Sequence, residues 1–158
     1  MIDQSARSER STAISVRQAL MRICADATVE ELANALTSCG GVPALEDVRP
    51  PEAGLVMLRG RIGGDGAPFN IGEASVTRAV VRLEDGTLGY SYLLGRSAER
   101  AKLAAIVDAL GQDEEWRARL DASLVAPVKA RREAALAEQR AEAAATRVNF
   151  FTLVRGED

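Results

Sequence analysis

The sequence predicts an α+β chain, and three observations carry that reading. Two runs of helical period open it, two alternating runs joined by Asp85-Gly86 lie at its centre, and further helical runs precede an aromatic terminus. The expected architecture is N-terminal helices, a central antiparallel sheet with a hairpin over residues 75–94, C-terminal helices and a terminal extended segment. With 158 residues, 47% of them hydrophobic, the chain can bury one core and reads as a single domain over 1–158. Residues 1–12 are expected to be flexible and 128–158 to form a partner-docking helix and tail.

Val16, Leu20, Ile23 and Cys24 recur at helical spacing from Ile14, with Ser11 or Thr12 available as a cap. Thr28 and Glu31 make a capping box, and Val29, Leu32, Ala33 and Leu36 then run to a stop at Gly40-Gly41. Pro50-Pro51 cannot continue a helix, so Pro43 to Glu52 reads as an extended surface connection. Leu55 to Arg61 reads as a strand whose period of two sets Arg59 and Arg61 on one face with Leu55 and Met57.

Ser75 to Leu83 and Leu88 to Leu94 both alternate, and Asp85-Gly86 between them is a hairpin signal. Taken as a two-residue turn, it pairs Leu83 with Leu88, Val81 with Tyr90 and Ala79 with Tyr92 on an apolar face, leaving Arg78 facing away from the tyrosines. Ser97 is placed to cap a helix with the stripe Leu103, Ile106, Val107 and Leu110, ended by Gly111. Asp113 caps another, carrying Trp116, Leu120 and Leu124, until Pro127 breaks or kinks it. Lys129 to Ala145 has Leu136 as its one large apolar residue, so this helix projects or binds. Beyond it the segment Thr146 to Arg155 turns apolar, with Val148, Phe150 and Val154 on one face and Phe151 and Leu153 on the other.

Composition excludes whole classes of function. There is no histidine, which removes the usual general base, the serine and cysteine triads and the commonest metal ligand. Two cysteines, Cys24 and Cys39, are too few for a four-thiolate cluster and read as buried thiols. A net charge of -3 carries no basic footprint for nucleic acid or an anionic membrane surface. The N-terminus lacks the apolar stretch of a secretory signal and no later run is long enough to cross a bilayer, so the expected location is the cytoplasm.

The run from Arg59 to Arg78 gathers three arginines, five glycines, Asn70 and Glu73. Guanidinium forks beside backbone freed by glycine suit a phosphate or carboxylate, and they equally suit a glycine hairpin loop whose arginines pair with Asp65 or Glu73. No lysine follows the glycines and no strand-to-helix passage surrounds them, so the run is neither a Walker loop nor a dinucleotide fingerprint. Glu73 among arginines makes a poor general base and a better orienting partner. Arg96 opens a helix, where an anion site and plain capping by Ser97 are both open. The candidates for substrate or interface contact are Arg59, Arg61, Gly63, Gly64, Asn70, Glu73, Arg78 and Arg96; Arg147, Phe150 and Phe151 are candidates for partner docking. No residue is assigned a catalytic role and none a metal.

Arg59-Gly60-Arg61 through Pro68-Phe69-Asn70, Gly72-Glu73 and Thr77-Arg78 resembles the signature of the PhnG family, a subunit of the bacterial carbon-phosphorus lyase system. The likeness continues through Tyr92-Leu93-Leu94-Gly95-Arg96, Ala104 to Leu110 and Ala145 to Thr152, nearly the whole chain beyond the first dozen residues. Position 97 is serine where the family pattern has aspartate, and both cap helices. The resemblance implies a cytoplasmic assembly with PhnH, PhnI and PhnJ, assisted by PhnL in a first step in which an alkylphosphonate displaces adenine from ATP. It assigns that chemistry mainly to PhnI, and the later radical cleavage, with an iron-sulfur cluster and S-adenosylmethionine, to PhnJ. This subunit is then expected to bind no cofactor and to be accessory to alpha-D-ribose 1-methylphosphonate 5-triphosphate synthesis. Two other classes stand beside it: a stand-alone phosphate-ester or nucleotide-binding protein using Arg59, Arg61 and Arg78, and an enzyme with Glu73 as base.

Overall fold

The computed structural model describes residues 4–63 and 65–146. Its elements are α1 (Gln4–Asp26), α2 (Val29–Ser38), β1 (Leu45–Gly60), β2 (Phe69–Leu83), β3 (Leu88–Leu94), α3 (Ala98–Leu110), α4 (Glu114–Leu120) and, after a π turn over Asp121–Val125, α5 (Ala126–Ala145). The strands form one antiparallel sheet in the order β1-β2-β3. Ala79, Val81 and Leu93 join Leu32, Leu36, Ile106, Val107, Leu120 and Leu124 in a single core, so helices cover one sheet face. The opposite face, with Tyr90 and Tyr92, is open to solvent. The expected α+β architecture holds through α5, and the expected terminal extended segment lies outside the described residues.

Local chemistry sets the helix ends. The capping box forms as expected: Glu31 N–H donates to Thr28 Oγ1 at 3.2 Å and Thr28 N–H to Glu31 Oε2 at 2.8 Å. At the other end Gly41 N–H reaches the Leu36 carbonyl and Gly40 N–H that of Thr37, a Schellman closure that needs positive φ at Gly40. Ser97 and Asp113 cap α3 and α4 through the N–H groups of Arg100 and Trp116. The cap expected at Ser11 or Thr12 does not form, because α1 already begins at Gln4. Thr12 Oγ1 instead donates to the Ser8 carbonyl at 3.0 Å, a bond that lets a hydroxyl sit inside a helix.

Residues Pro43 to Glu52 were expected as a connection, yet β1 runs from Leu45 through the prolines to Gly60. It is an edge strand, where a missing N–H costs little, and register shifts between Asp47 and Arg49 and between Arg49 and Glu52 absorb the irregularity. A further shift falls between Leu58 and Arg59, and Arg61 lies past the strand's end. Arg59 and Arg61 therefore do not share a strand face as the period of two predicts.

The 75–94 hairpin is present, but its register differs by one residue from a two-residue turn. Arg82 pairs with Leu88, Val80 with Tyr90 and Arg78 with Tyr92. Leu83 N–H donates to the Thr87 carbonyl, Gly86 N–H donates to the Leu83 carbonyl, and Gly86 has φ +88°. Glu84, Asp85 and Gly86 are thus a three-residue loop with the left-handed residue last, and Asp85 Oδ1 accepts from Thr87 N–H at 2.8 Å. The slip transposes the partners. Ala79 and Val81 face the core opposite Ser91 and Gly89, while Arg78 shares the outer face with both tyrosines. A Cβ at Gly86 would meet nothing within 4 Å, so Gly86→Val is expected to act through backbone strain alone. A loss of about 1–2 kcal/mol should lower Tm by roughly 5 °C; an unchanged melting temperature would contradict a left-handed Gly86.

Pro127 was expected to break or kink the helix. The chain stays helical from Glu114 to Ala145, with Pro127 in the first turn of α5 just after the π turn. A wider turn just before the proline accommodates the donor that it lacks. Past Val128 every described residue of α5 is solvent-exposed, in line with a helix that projects. Its base is held by Arg131, which bonds both Glu31 oxygens and the Asp26 carbonyl, and by Arg132 on the Asp26 carboxylate.

Candidate functional site

β3 pairs with β2 only as far as Val76 and Gly95 N–H closes on the Ser75 carbonyl, so Phe69 to Ala74 pair with β1 alone. The stretch 53–60 and 69–75, closed by the glycine loop, forms a two-stranded arm. Leu55, Met57, Leu58, Ile62, Phe69 and Ile71 on it are all exposed. A Cβ at Gly60 would meet the end of the Ile71 side chain, which is exposed and can move aside. Gly63 has φ +68°, and Gly66 N–H donates to the Ile62 carbonyl at 3.2 Å, so part of the loop's backbone is engaged in a turn. This is the hairpin-loop alternative for the glycines.

The sequence candidates separate along the arm. Arg59 pairs with Asn70 near its end, Glu73 with Met57 midway, and Arg78 sits back on the sheet beside Glu52, its Nη2 3.4 Å from Oε2. Asn70 and Arg78 are eight residues apart on one strand, about 26 Å. Arg59 and Arg78 therefore do not converge on one anion. Arg96 Nε donates to Ser75 Oγ at 3.1 Å. Arg59 and Arg61 make no ion pair among the described residues, so the expected pairing with Asp65 or Glu73 is not seen there. Gly64, Arg147, Phe150 and Phe151 lie outside the described residues.

The strongest electrostatic feature was not singled out from the sequence. Asp108 is buried in α3 and accepts from Arg17 Nε at 2.8 Å, Arg17 Nη2 at 2.6 Å and Tyr90 N–H at 2.8 Å. Donating to the Asp108 carboxylate raises the Arg17 pKa above its ordinary value against the opposing effect of burial, and the guanidinium also lies 5.7 Å from the Tyr90 ring centroid. One signal was available: a lone carboxylate inside the apolar run Ala104 to Leu110 demands a cation or several donors. Burial pushes the Cys24 thiol up to about 12, with the Asp108 charge adding to the effect, so it is no nucleophile near neutral pH. Cys24 and Cys39 are both buried, as read from the sequence.

Elsewhere a groove of about 460 Å³ lies between α1 and the α4–α5 rod, lined by Val16, Leu20, Ile23 and Val125 with Arg22 and Lys129 among its charged residues. Among the described residues no group of three or more histidine, cysteine, aspartate or glutamate side chains could hold a metal, and no helix is long and apolar enough to cross a membrane. An open sheet face, an apolar arm and arginines that do not converge describe a chain built to be covered by another molecule. It belongs to the PhnG family: the family model described as phosphonate metabolism protein PhnG matches residues 15–156. It is also 48% identical over 154 residues to the alpha-D-ribose 1-methylphosphonate 5-triphosphate synthase subunit PhnG of Rhizobium meliloti (strain 1021), which covers 98% of both chains.

Proposed function

We propose that this chain is a non-catalytic subunit of a synthase that joins methylphosphonate to the ribose of ATP, releasing adenine and forming alpha-D-ribose 1-methylphosphonate 5-triphosphate. The observation that carries the reading is the 48% identity, extending over 98% of both chains, to a subunit named for that synthase. The separation of Arg59, opposite Asn70 near the end of β1, from Arg78 on β2 supports a role in assembly over one in holding a single phosphate. In this reading PhnH, PhnI and PhnJ are the partners, PhnL assists the first step, and the complex works in the cytoplasm. With two cysteines and no histidine in the sequence, this chain is unsuited to a four-cysteine iron-sulfur site. The resemblance assigns radical chemistry with S-adenosylmethionine to PhnJ.

The test is reconstitution with Arg59→Ala and Arg78→Ala. Arg78 and Glu52 form an exposed pair worth about 0–1 kcal/mol, so neither variant should unfold the chain. Product synthesis is expected to fall in step with the fraction of subunits that co-elute. Full assembly with activity lost by several orders of magnitude would place the arginines at the substrate instead. Calorimetric titration of the isolated chain with ATP and methylphosphonate should show no binding; binding would favour the stand-alone phosphate-ester reading.

A further inference from the structure

The arm carries an unfinished sheet edge. Leu83 N–H donates to Thr87 O and Gly95 N–H donates to Ser75 O, which fixes the odd-numbered residues of β2 as those whose backbone groups point toward β3. Glu73 comes two residues beyond Ser75 and turns its N–H and C=O to the same side. β3 has ended by then: its last residue, Leu94, pairs with Val76. Gly95, at φ +97°, then turns the chain into α3. No described strand continues the line of β3 past Ser75.

The two outer edges of the sheet are treated differently. β1 carries Pro50, Pro51 and two register shifts in its body half, features that discourage a further strand. The Phe69–Ser75 edge has no proline or lysine and Glu73 is its one charge; its one irregularity is Ile71, left as an extra residue by the shift between Leu58 and Arg59. Exposed apolar side chains surround it: Leu55 at 59%, Met57 at 56%, Ile71 at 64% and Leu94 at 67%. Register sets Leu55 and Met57 on the face of Ser75 and Glu73, and Val56 and Leu58 on the other, so apolar surface lies on both sides of the missing strand.

The geometry points to strand addition: an extended segment of a partner subunit pairs with β2 at Glu73, between the Ile71 bulge and Ser75, prolonging the line of β3. The inference rests on the subunit reading and names the surface by which the subunit is held. The backbone edge demands an extended segment, not a helix. The flanking side chains demand apolar residues on both its faces, and Glu73 calls for a lysine or arginine directly opposite. A second copy is the poorer occupant, because the two-fold register centred on Glu73 would set that carboxylate against its own mate.

The test compares Glu73→Pro with Glu73→Ala in the co-expressed complex. Proline removes the outward N–H and is tolerated on an edge strand, whereas alanine keeps the N–H and loses the charge. With the isolated chains melting alike, Glu73→Pro should weaken assembly by about tenfold or more and Glu73→Ala by about threefold or less. Equal assembly of wild type and proline variant would overturn the proposal. Hydrogen exchange gives a readout that needs no variant: the Glu73 amide should exchange quickly in the isolated chain and slowly in the complex. Protection already present in the isolated chain would mean that this chain or a second copy covers the edge, and the proposal fails. Fast exchange within an assembled complex would equally overturn it, while leaving the subunit reading intact. Failure of the wild-type chain to co-purify with any partner would sink the subunit reading itself.

Discussion

Asp108→Ala is expected to cost about 3 kcal/mol of folding stability, the lower end of the range for breaking a buried ion pair. The carboxylate is fully buried, whereas the Arg17 side chain keeps 36% of its exposure and can recover water. What remains stranded is the Tyr90 N–H, which loses its acceptor beneath α3. Removing Asp108 therefore unties three elements at once: α1 through Arg17, β3 through Tyr90, and α3 itself. For a chain of this length the melting temperature should fall by about 6–12 °C. Asp108→Asn keeps one acceptor and should fall by less. A second readout is Cys24, whose burial keeps its thiol inert: the alanine variant should react faster with a thiol reagent as opening becomes more frequent. A melting temperature unchanged within a degree would show that the pair is ornamental.

Gly89→Val should be the most damaging single change in the sheet. A Cβ at Gly89 would overlap the Ala105 carbonyl oxygen and stand 2.7 Å from the Ala109 nitrogen and Cβ. Those atoms are helix backbone and a buried alanine with no rotamer to change, so α3 itself must lift off β3. Overpacking a core costs about 1–3 kcal/mol when side chains can adjust, and the upper end or beyond is expected here. Gly89→Ala introduces the same Cβ and should show most of the effect. Soluble yield and thermal unfolding measure it. Wild-type stability of Gly89→Ala would mean that α3 does not ride so close to the strand.

What the sequence disclosed follows the range of the forces involved. The Thr28/Glu31 box, the Ser97 and Asp113 caps and the stop at Gly40-Gly41 are contacts within a few residues, and each was legible. The hairpin was legible as a hairpin, but its register turned on whether the loop held two or three residues, and Asp85-Gly86 fits either. That single residue moved both tyrosines from the core face to the solvent face. β1 was hidden in its first half by Pro50-Pro51, since a proline reads as a break unless the strand is known to be an edge. Arg17 and Asp108 lie 91 positions apart, and nothing local announces such a pair. The arginine-glycine run was recognisable as unusual. That its arginines would be divided between β1, the loop and β2 could not be read without the pairing of β1 with β2.

The π turn at Asp121–Val125 is a buffer for everything downstream. It spends one residue more than an α-helix would over the same rise, and each residue rotates a helix by about 100°. Deleting one residue there, Ala122 for instance, would let the rod close into a continuous α-helix. The smaller rotation per residue in the wide turn cancels what the extra residue would add, so α5 would keep its height and azimuth relative to α2. Arg131 and Arg132 would stay beside Glu31 and Asp26. The turn therefore buffers a one-residue change in length, whereas deleting Ala130, beyond it, would rotate the rest of the rod by about 100° and carry both arginines off their carboxylates.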